Sequence, residues 1–199
     1  MRGMAERTPE NLLLAAFSPE LAGLDAAPPA GWRVALTGVG ALAAAAATAR
    51  LLAEARTARV LFVGTCGAYD GRLSVGAQIS ASEAIATSLD ELEGRAYRPE
   101  IERTRWSAGW ALPLPAVAVA VPPAITRTVE GARRLGELAA AEHLELTGVF
   151  AACAEAGVPA AAALAVANHV GPDANAEWRA NHARVSRELM GALISGSIL

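Results

Sequence analysis

The 199-residue chain lacks the residue patterns that mark several specialised protein classes. It has two cysteines, Cys66 and Cys153, with neither CxxC spacing nor clustered histidines. That argues against a zinc site or a disulfide scaffold and suggests a reducing compartment. No metal and no cofactor is expected. Aromatics make up 5% of the chain, lysine is absent, and the 17 basic residues are arginines interspersed with acids for a net charge of −3. No basic block or aromatic-basic interleaving occurs, which disfavours a nucleic-acid partner. The opening MRGMAERTPE has no apolar signal core. The greasiest stretch, 151–167, is broken by Glu155, Gly157 and Pro159, too interrupted to span a bilayer. The expectation is a cytoplasmic protein with no membrane partner. Two phosphate-binding signatures are also missing. No lysine follows the GTCG of residues 64–67 in Walker fashion, and Gly38 and Gly40 lack the third glycine of GxGxxG.

What is present is apolar bulk, 53% of the residues, enough for one full core. Residues 11–199 are expected as one domain behind a disordered extension over 1–10. Asn11–Phe17, Trp32–Thr37 and Val60–Val63 read as buried strands, and Ala41–Arg56 is almost pure helix former. Strand, glycine turn, helix, strand is a βαβ rhythm that predicts a mostly parallel sheet covered by helices. Further along, Gly76–Ile85 predicts a strand, and Leu112–Val121 an edge or entering strand with its prolines at one end. Leu89–Arg105 predicts a surface excursion, and Arg133–Glu142 and Thr147–Ala156 helices, the second closed by Gly157. Ala160–Ala167 reads as a continuing helix or a central strand, the Gly-x-Pro break before it favouring the strand, and Asn175–Ile194 as a closing amphipathic helix. In VLFVGTCGAYDG (60–71), Gly64 and Gly67 predict a sharp turn at a strand's carboxyl end, where open α/β sheets bind ligands. Cys66 has no base nearby in sequence and reads as an inert buried thiol.

Four segments together, LAAFSPELAGL (14–24), LTGVGALAAAAATAR (36–50), LFVGTCGAYDGRLSVG (61–76) and HLELTGVFAACAEAGVPAAAALAVANHVG (143–171), resemble the nucleoside phosphorylase and nucleosidase superfamily. Within it, GPDANAEWR (171–179) after Ala167-Asn168-His169-Val170 is most similar to the futalosine hydrolase group of the menaquinone pathway, as is PAITRTVEGARRL (123–135). The resemblance implies a single-domain, three-layer α/β fold with a central mixed, partly barrel-like sheet flanked by helices. It implies hydrolysis of the N-glycosidic bond of a small-molecule purine nucleoside, with futalosine giving hypoxanthine, and a homodimer or larger homo-oligomer.

The same resemblance assigns roles. Glu145 matches the glutamate that accepts from the ribose 2′ and 3′ hydroxyls; its plain reading is a helix-start carboxylate, but an acid between Leu144 and Leu146 at the entry of an apolar helix favours function. Leu144-Glu145 stands where the family has methionine-glutamate, and His143 replaces its preceding acid. Asn168 stands where adenine-specific nucleosidases carry aspartate; an amide can donate to purine N7 and orient a 6-oxopurine. On its own it reads as a turn former. Glu20 matches the glutamate that activates water, and reads equally as a carboxylate opening a helix after Pro19. Thr65, Cys66 and Gly67 are expected along the ribose and base, Phe17 among the candidate base walls with Phe150, Trp106, Trp110 and Trp178, and Thr126 on the substrate side. Phosphorylases of the superfamily place arginine where this chain has Phe62, which favours water as nucleophile. Arg33, Arg50 and Arg59 are the remaining candidate phosphate ligands. An adenine-releasing nucleosidase, with Asp173 standing in for the missing acid, a phosphorylase, and a non-catalytic nucleoside-binding protein are the alternatives. Ala77, where the family has aspartate, is a departure that suits the last.

Overall fold

The computed structural model describes residues 8–24, 28–69 and 71–199. The extension expected over 1–10 lies, for residues 1–7, outside the described residues; the first strand begins at Glu10. In chain order the elements are β1 (Glu10–Ala15), a 3-10 turn (Ser18–Leu21), β2 (Trp32–Leu36), α1 (Ala41–Glu54), β3 (Thr57–Ala68) and β4 (Gln78–Ala86). There follow α2 (Leu89–Leu92), β5 (Arg105–Ser107), β6 (Ala116–Val121), α3 (Val129–Gly136), β7 (Ala141–Glu142), α4 (Leu146–Glu155), β8 (Ala160–His169) and α5 (Ala174–Ser195).

The sheet is mixed and closes on itself. β3 pairs β8, β8 pairs β4, β4 pairs β6, β6 pairs β7, and β7 returns to β3; β1 and β2 extend from β3, and β5 from β4. This is the single-domain, barrel-like α/β architecture that the family resemblance implies. Strand alternation explains the layers. Leu12, Leu14, Val60, Phe62 and Leu164 point into one core with Leu146 and Phe150 of α4. Leu13, Leu61, Val63 and Ala163 point into another with Val185, Leu189 and Met190 of α5. β8 is buried from Ala160 to Asn168, as a strand covered on both faces must be. Its alanines let helices approach closely on either side.

Three local expectations are corrected. The helix predicted over Arg133–Glu142 begins earlier, at Val129, because Thr128 caps it by accepting from the Gly131 N–H at 3.0 Å. Ala141 and Glu142 leave the helix altogether and pair with both β6 and β3. β6 is an interior strand between β7 and β4, its prolines lying before its first residue. Finally, GTCG is not a turn. β3 runs through it to Ala68, with an irregularity between Cys66 and Gly67.

That continuation positions the site. One edge of β3 is paired with β8 from Val60 to Ala68. The other edge pairs β1 only as far as Phe62 and β7 only from Gly67. Between them the ladder is interrupted, and side chains take over its hydrogen bonds.

Candidate active site

The interruption opens into a cavity of about 370 Å³. It sits at the carboxyl ends of the parallel strands β1, β3 and β8, the position that crossover connections leave open in α/β sheets. Of the expected residues, Phe17, Glu20, Thr65, Cys66, Gly67, Leu144, Glu145 and Asn168 all line it. Thr126 is buried but does not line it; its N–H donates to Glu142 Oε1 at 3.0 Å.

Glu20 comes from the 3-10 turn after β1 and is 3% exposed. Its Oε1 accepts from the Thr65 N–H at 2.9 Å and the Thr65 hydroxyl at 3.1 Å; its Oε2 accepts from the Ala16 N–H at 3.1 Å. The Thr65 N–H is the donor that the interrupted ladder leaves over. Burial pushes the Glu20 carboxyl up to about 7, and the like charge of Glu145 adds to the rise, against the hydrogen bonds that pull it down. A carboxyl at that value exchanges protons near neutrality.

Glu145 opens α4 at 5% exposure. Its Oε1 accepts from the Gly40 N–H at 2.7 Å. Gly40 has φ of 92°, a left-handed conformation that costs a side-chain-bearing residue energy, and it turns that N–H inward at the start of α1. α1 and α4 touch closely beside it: a Cβ on Gly148 would stand 2.0 Å from the Ala41 carbonyl oxygen.

Asn168, the penultimate residue of β8, lies opposite Gly67, with Glu142 opposite the same glycine on the other side. Paired residues share a face, so a carboxamide and a carboxylate flank a residue without a side chain. A Cβ on Gly67 would meet Asn168 Nδ2 at 2.9 Å. The carboxamide Nδ2 donates to the His169 carbonyl at 2.9 Å.

Glu142 and His143 also line the cavity and were not among the expected site residues. Glu142 Oε2 accepts from the Tyr69 hydroxyl at 2.8 Å, and burial, followed by the charge of Glu142 and that bond, raises the phenol well above its usual value. Their signal was the run Glu142-His143-Leu144-Glu145, polar residues set in an apolar neighbourhood.

Among the aromatic candidates, Phe17 and Trp178 line the cavity, with ring centroids 6.1 Å apart. Phe150 is core, and Trp106 and Trp110 lie away from it. The Trp178 indole N–H donates to the Thr65 hydroxyl at 3.1 Å. Thr65 therefore uses its hydroxyl to bridge Trp178 to Glu20 rather than offering it free to a sugar. Cys66 is buried, and burial, with a lesser push from Glu20, raises its thiol to about 12. It stays a thiol, as expected. Asp173 is exposed, precedes α5 and is outside the cavity lining, so it cannot stand in for an acid at the Asn168 position.

No arginine lines the cavity among the described residues. Phe62 is core. Arg33 donates to the Leu51 carbonyl at 2.9 Å, Arg50 pairs with Glu54, and Arg59 lies over Trp32 and Trp110. None of the described helices is long and apolar enough to cross a membrane.

A family model described as the phosphorylase superfamily matches residues 32–144. No curated protein matches the chain in sequence. Among solved structures, a futalosine hydrolase mutant of Helicobacter pylori is similar with a TM-score of 0.78 at 16% identity, over 95% of this chain and 100% of that one. A 5′-methylthioadenosine/S-adenosylhomocysteine nucleosidase from Helicobacter pylori with butyl-thio-DADMe-Immucillin-A gives 0.78 at 14% identity, over 96% and 100%. The corresponding nucleosidase from Colwellia psychrerythraea, in complex with adenine, gives 0.71 at 17% identity, over 94% and 96%. At these identities the likeness is one of fold.

Proposed function

The chain belongs to the phosphorylase superfamily, and on that premise we propose that it is a nucleosidase that hydrolyses the N-glycosidic bond of a purine nucleoside, with futalosine as substrate and hypoxanthine as the released base. The observation that carries this reading is the convergence of Glu20, Glu145 and Asn168 on one cavity whose described lining contains no arginine. A phosphate dianion entering there would lose its hydration with no cation to offset the cost. Water carries no such cost, and a carboxyl near 7 is matched to taking its proton.

In this reading the ribose hydroxyls donate to Glu145, which holds the anomeric carbon in place. The base lies against the wall that Phe17 and Trp178 form, with its N7 edge toward Asn168. Glu20 takes a proton from water as the bond to the base breaks. The test is direct: purified protein and futalosine, without phosphate, should give free hypoxanthine by chromatography. Turnover of inosine that requires phosphate would make the protein a phosphorylase, and tight binding without product would make it a binding protein.

A second reading is adenine release, and the adenine bound to one structural neighbour favours it. The carboxamide of Asn168 supplies no proton to N7, whereas a carboxylic acid would. Changing Asn168→Asp should therefore shift kcat/KM from hypoxanthine nucleosides toward adenine nucleosides by about tenfold or more. A ratio unchanged across a substrate panel would remove Asn168 from base selection.

The reading also includes a dimer. Val39 and Ile125, at the cavity rim, are 62% and 58% exposed, and the nearby Leu42 and Val129 are 89% and 73% exposed. Large apolar side chains gathered at a ligand site mark an interface. Light scattering should give twice the chain mass, and Leu42→Arg should halve it.

A further inference from the structure

His143 has no part in the proposed chemistry so far, yet its ring occupies the cavity wall. It is buried and lies edge-on to Phe62, with ring centroids 5.2 Å apart. The backbone assigns its tautomer. The Glu145 N–H, which can only donate, points at Nδ1 from 3.1 Å. Glu145 Oε2 lies equally close to Nδ1, but the N–H is the contact with hydrogen-bond geometry; with it as donor, Nδ1 accepts and the neutral ring carries its proton on Nε2. Burial lowers the ring's pKa against the opposing attraction of Glu145, whose Oε2 lies 3.1 Å from Nδ1.

His143 Nε2 lies beside Gly64. A Cβ on that glycine would stand 3.1 Å from His143 Nε2 and 3.2 Å from Glu20 Oε1. Phe62 Cε1 would stand 3.0 Å from the same Cβ, so these side chains close over Gly64; His143 and Glu20 themselves line the cavity, which brings a donor and an acceptor to one part of its wall. Such a pair suits an oxygen that both accepts and donates. Neither neighbour duplicates the donor. Glu145 only accepts, and the Thr65 hydroxyl already donates to Glu20.

Resting on the nucleosidase reading, we infer that His143 positions the attacking water in the cavity, between its own ring and Glu20. Its Nε2–H donates to the water, the water donates to the Glu20 carboxylate, and the water's remaining lone pair faces the anomeric carbon. The new C–O bond forms at that carbon as its bond to the purine nitrogen breaks. The electron pair of the broken bond leaves with the base, which takes a proton from solvent, and the proton of the water passes to Glu20. His143 keeps its own proton throughout. It is a positioning residue, and what it contributes is the orientation of the nucleophile.

The test joins kinetics to spectroscopy. His143→Leu should lower kcat for hypoxanthine release by about a hundredfold with KM within about threefold, because water and not substrate is misplaced. His143→Gln, whose amide can donate, should recover about a tenth of the lost rate or more. Circular dichroism checks that both variants fold. In the unaltered protein, ¹⁵N spectra of the imidazoles, assigned by the signal missing from the His143→Gln variant, should show His143 neutral with its proton on Nε2. A proton on Nδ1, an unchanged kcat, or a rise in KM with kcat retained would each overturn the inference. The last would put a sugar hydroxyl where the water is placed. Failure of the nucleosidase reading looks different: the unaltered protein would release no base from any nucleoside.

Discussion

Replacing Glu20 with glutamine should lower kcat by about 10²–10⁴-fold, the range expected when a positioned general base is lost. Glutamine fills nearly the same volume but cannot take a proton from water. The variant also separates catalysis from folding. Glu20 accepts from the Ala16 N–H, the Thr65 N–H and the Thr65 hydroxyl. An amide offers one acceptor oxygen, so its NH₂ must face one of the backbone donors, and some stability should go with the activity. The pH dependence gives a second signature. With the carboxyl raised to about 7, kcat/KM of the unaltered protein should climb as pH rises through that value, since only the ionised form is a base. Stability should run the other way. A carboxyl whose folded pKa exceeds its unfolded one holds its proton more tightly when folded, so folding loses stability as pH rises from about 4.5 to about 7. The Glu20→Gln variant should lack this loss in melts taken across that range. Full activity in that variant would exclude Glu20 as the base.

Much of this site was legible because its residues interrupt apolar runs. Glu145 stands just before a helix that is buried from Leu146 to Phe150, and Asn168 is the last buried residue of a strand of alanines, leucine and valine. A polar residue in such a setting needs a partner or a ligand to offset its desolvation, and local sequence is enough to raise the question. The βαβ rhythm is also there: α1, β8 and α5 lie within a residue or two of where hydropathy and helix formers place them. Alanine is a poor strand former, yet β8 is a strand because a Gly-Val-Pro break precedes it and both its faces are covered.

The misreadings share one cause, which is that tertiary pairing decided what local propensity could not. GTCG looks like a turn because two glycines sit close together. Their job is clearance: Gly64 makes room for Glu20 and His143, and Gly67 for Asn168 and Val170, while the backbone stays extended. Ala141 and Glu142 continue a helical composition but are drawn into the gap between β6 and β3. Thr65 lines the cavity as expected, but nothing local could show that Trp178, 113 residues away, would also bond its hydroxyl. Glu142 passed unnoticed because its partners, Tyr69 and the Thr126 N–H, come from two distant segments.

Glu145 carries the other large effect. If its carboxylate holds the ribose diol, Glu145→Gln should cost about 10²–10³-fold in kcat/KM for ribonucleosides, the loss of charge-assisted hydrogen bonds worth roughly 1.5–3 kcal/mol each. For a 2′-deoxynucleoside, which lacks one of the two donors, the same substitution should cost measurably less. Equal losses on both substrates would show that Glu145 serves structure alone. Glu145→Ala goes further, since it also strips the Gly40 N–H of its acceptor. That should loosen the start of α1 and cost about 1–3 kcal/mol of folding stability, read as a lower melting temperature. The two carboxylates are also coupled. The charge on Glu145 is one of the causes that raise Glu20, so Glu145→Gln should move the acid limb of the rate profile to lower pH even as the rate itself falls. A slower enzyme whose base ionises more readily is the signature of a pair that shares one cavity: one carboxylate grips the sugar, and its charge also tunes the group that activates water.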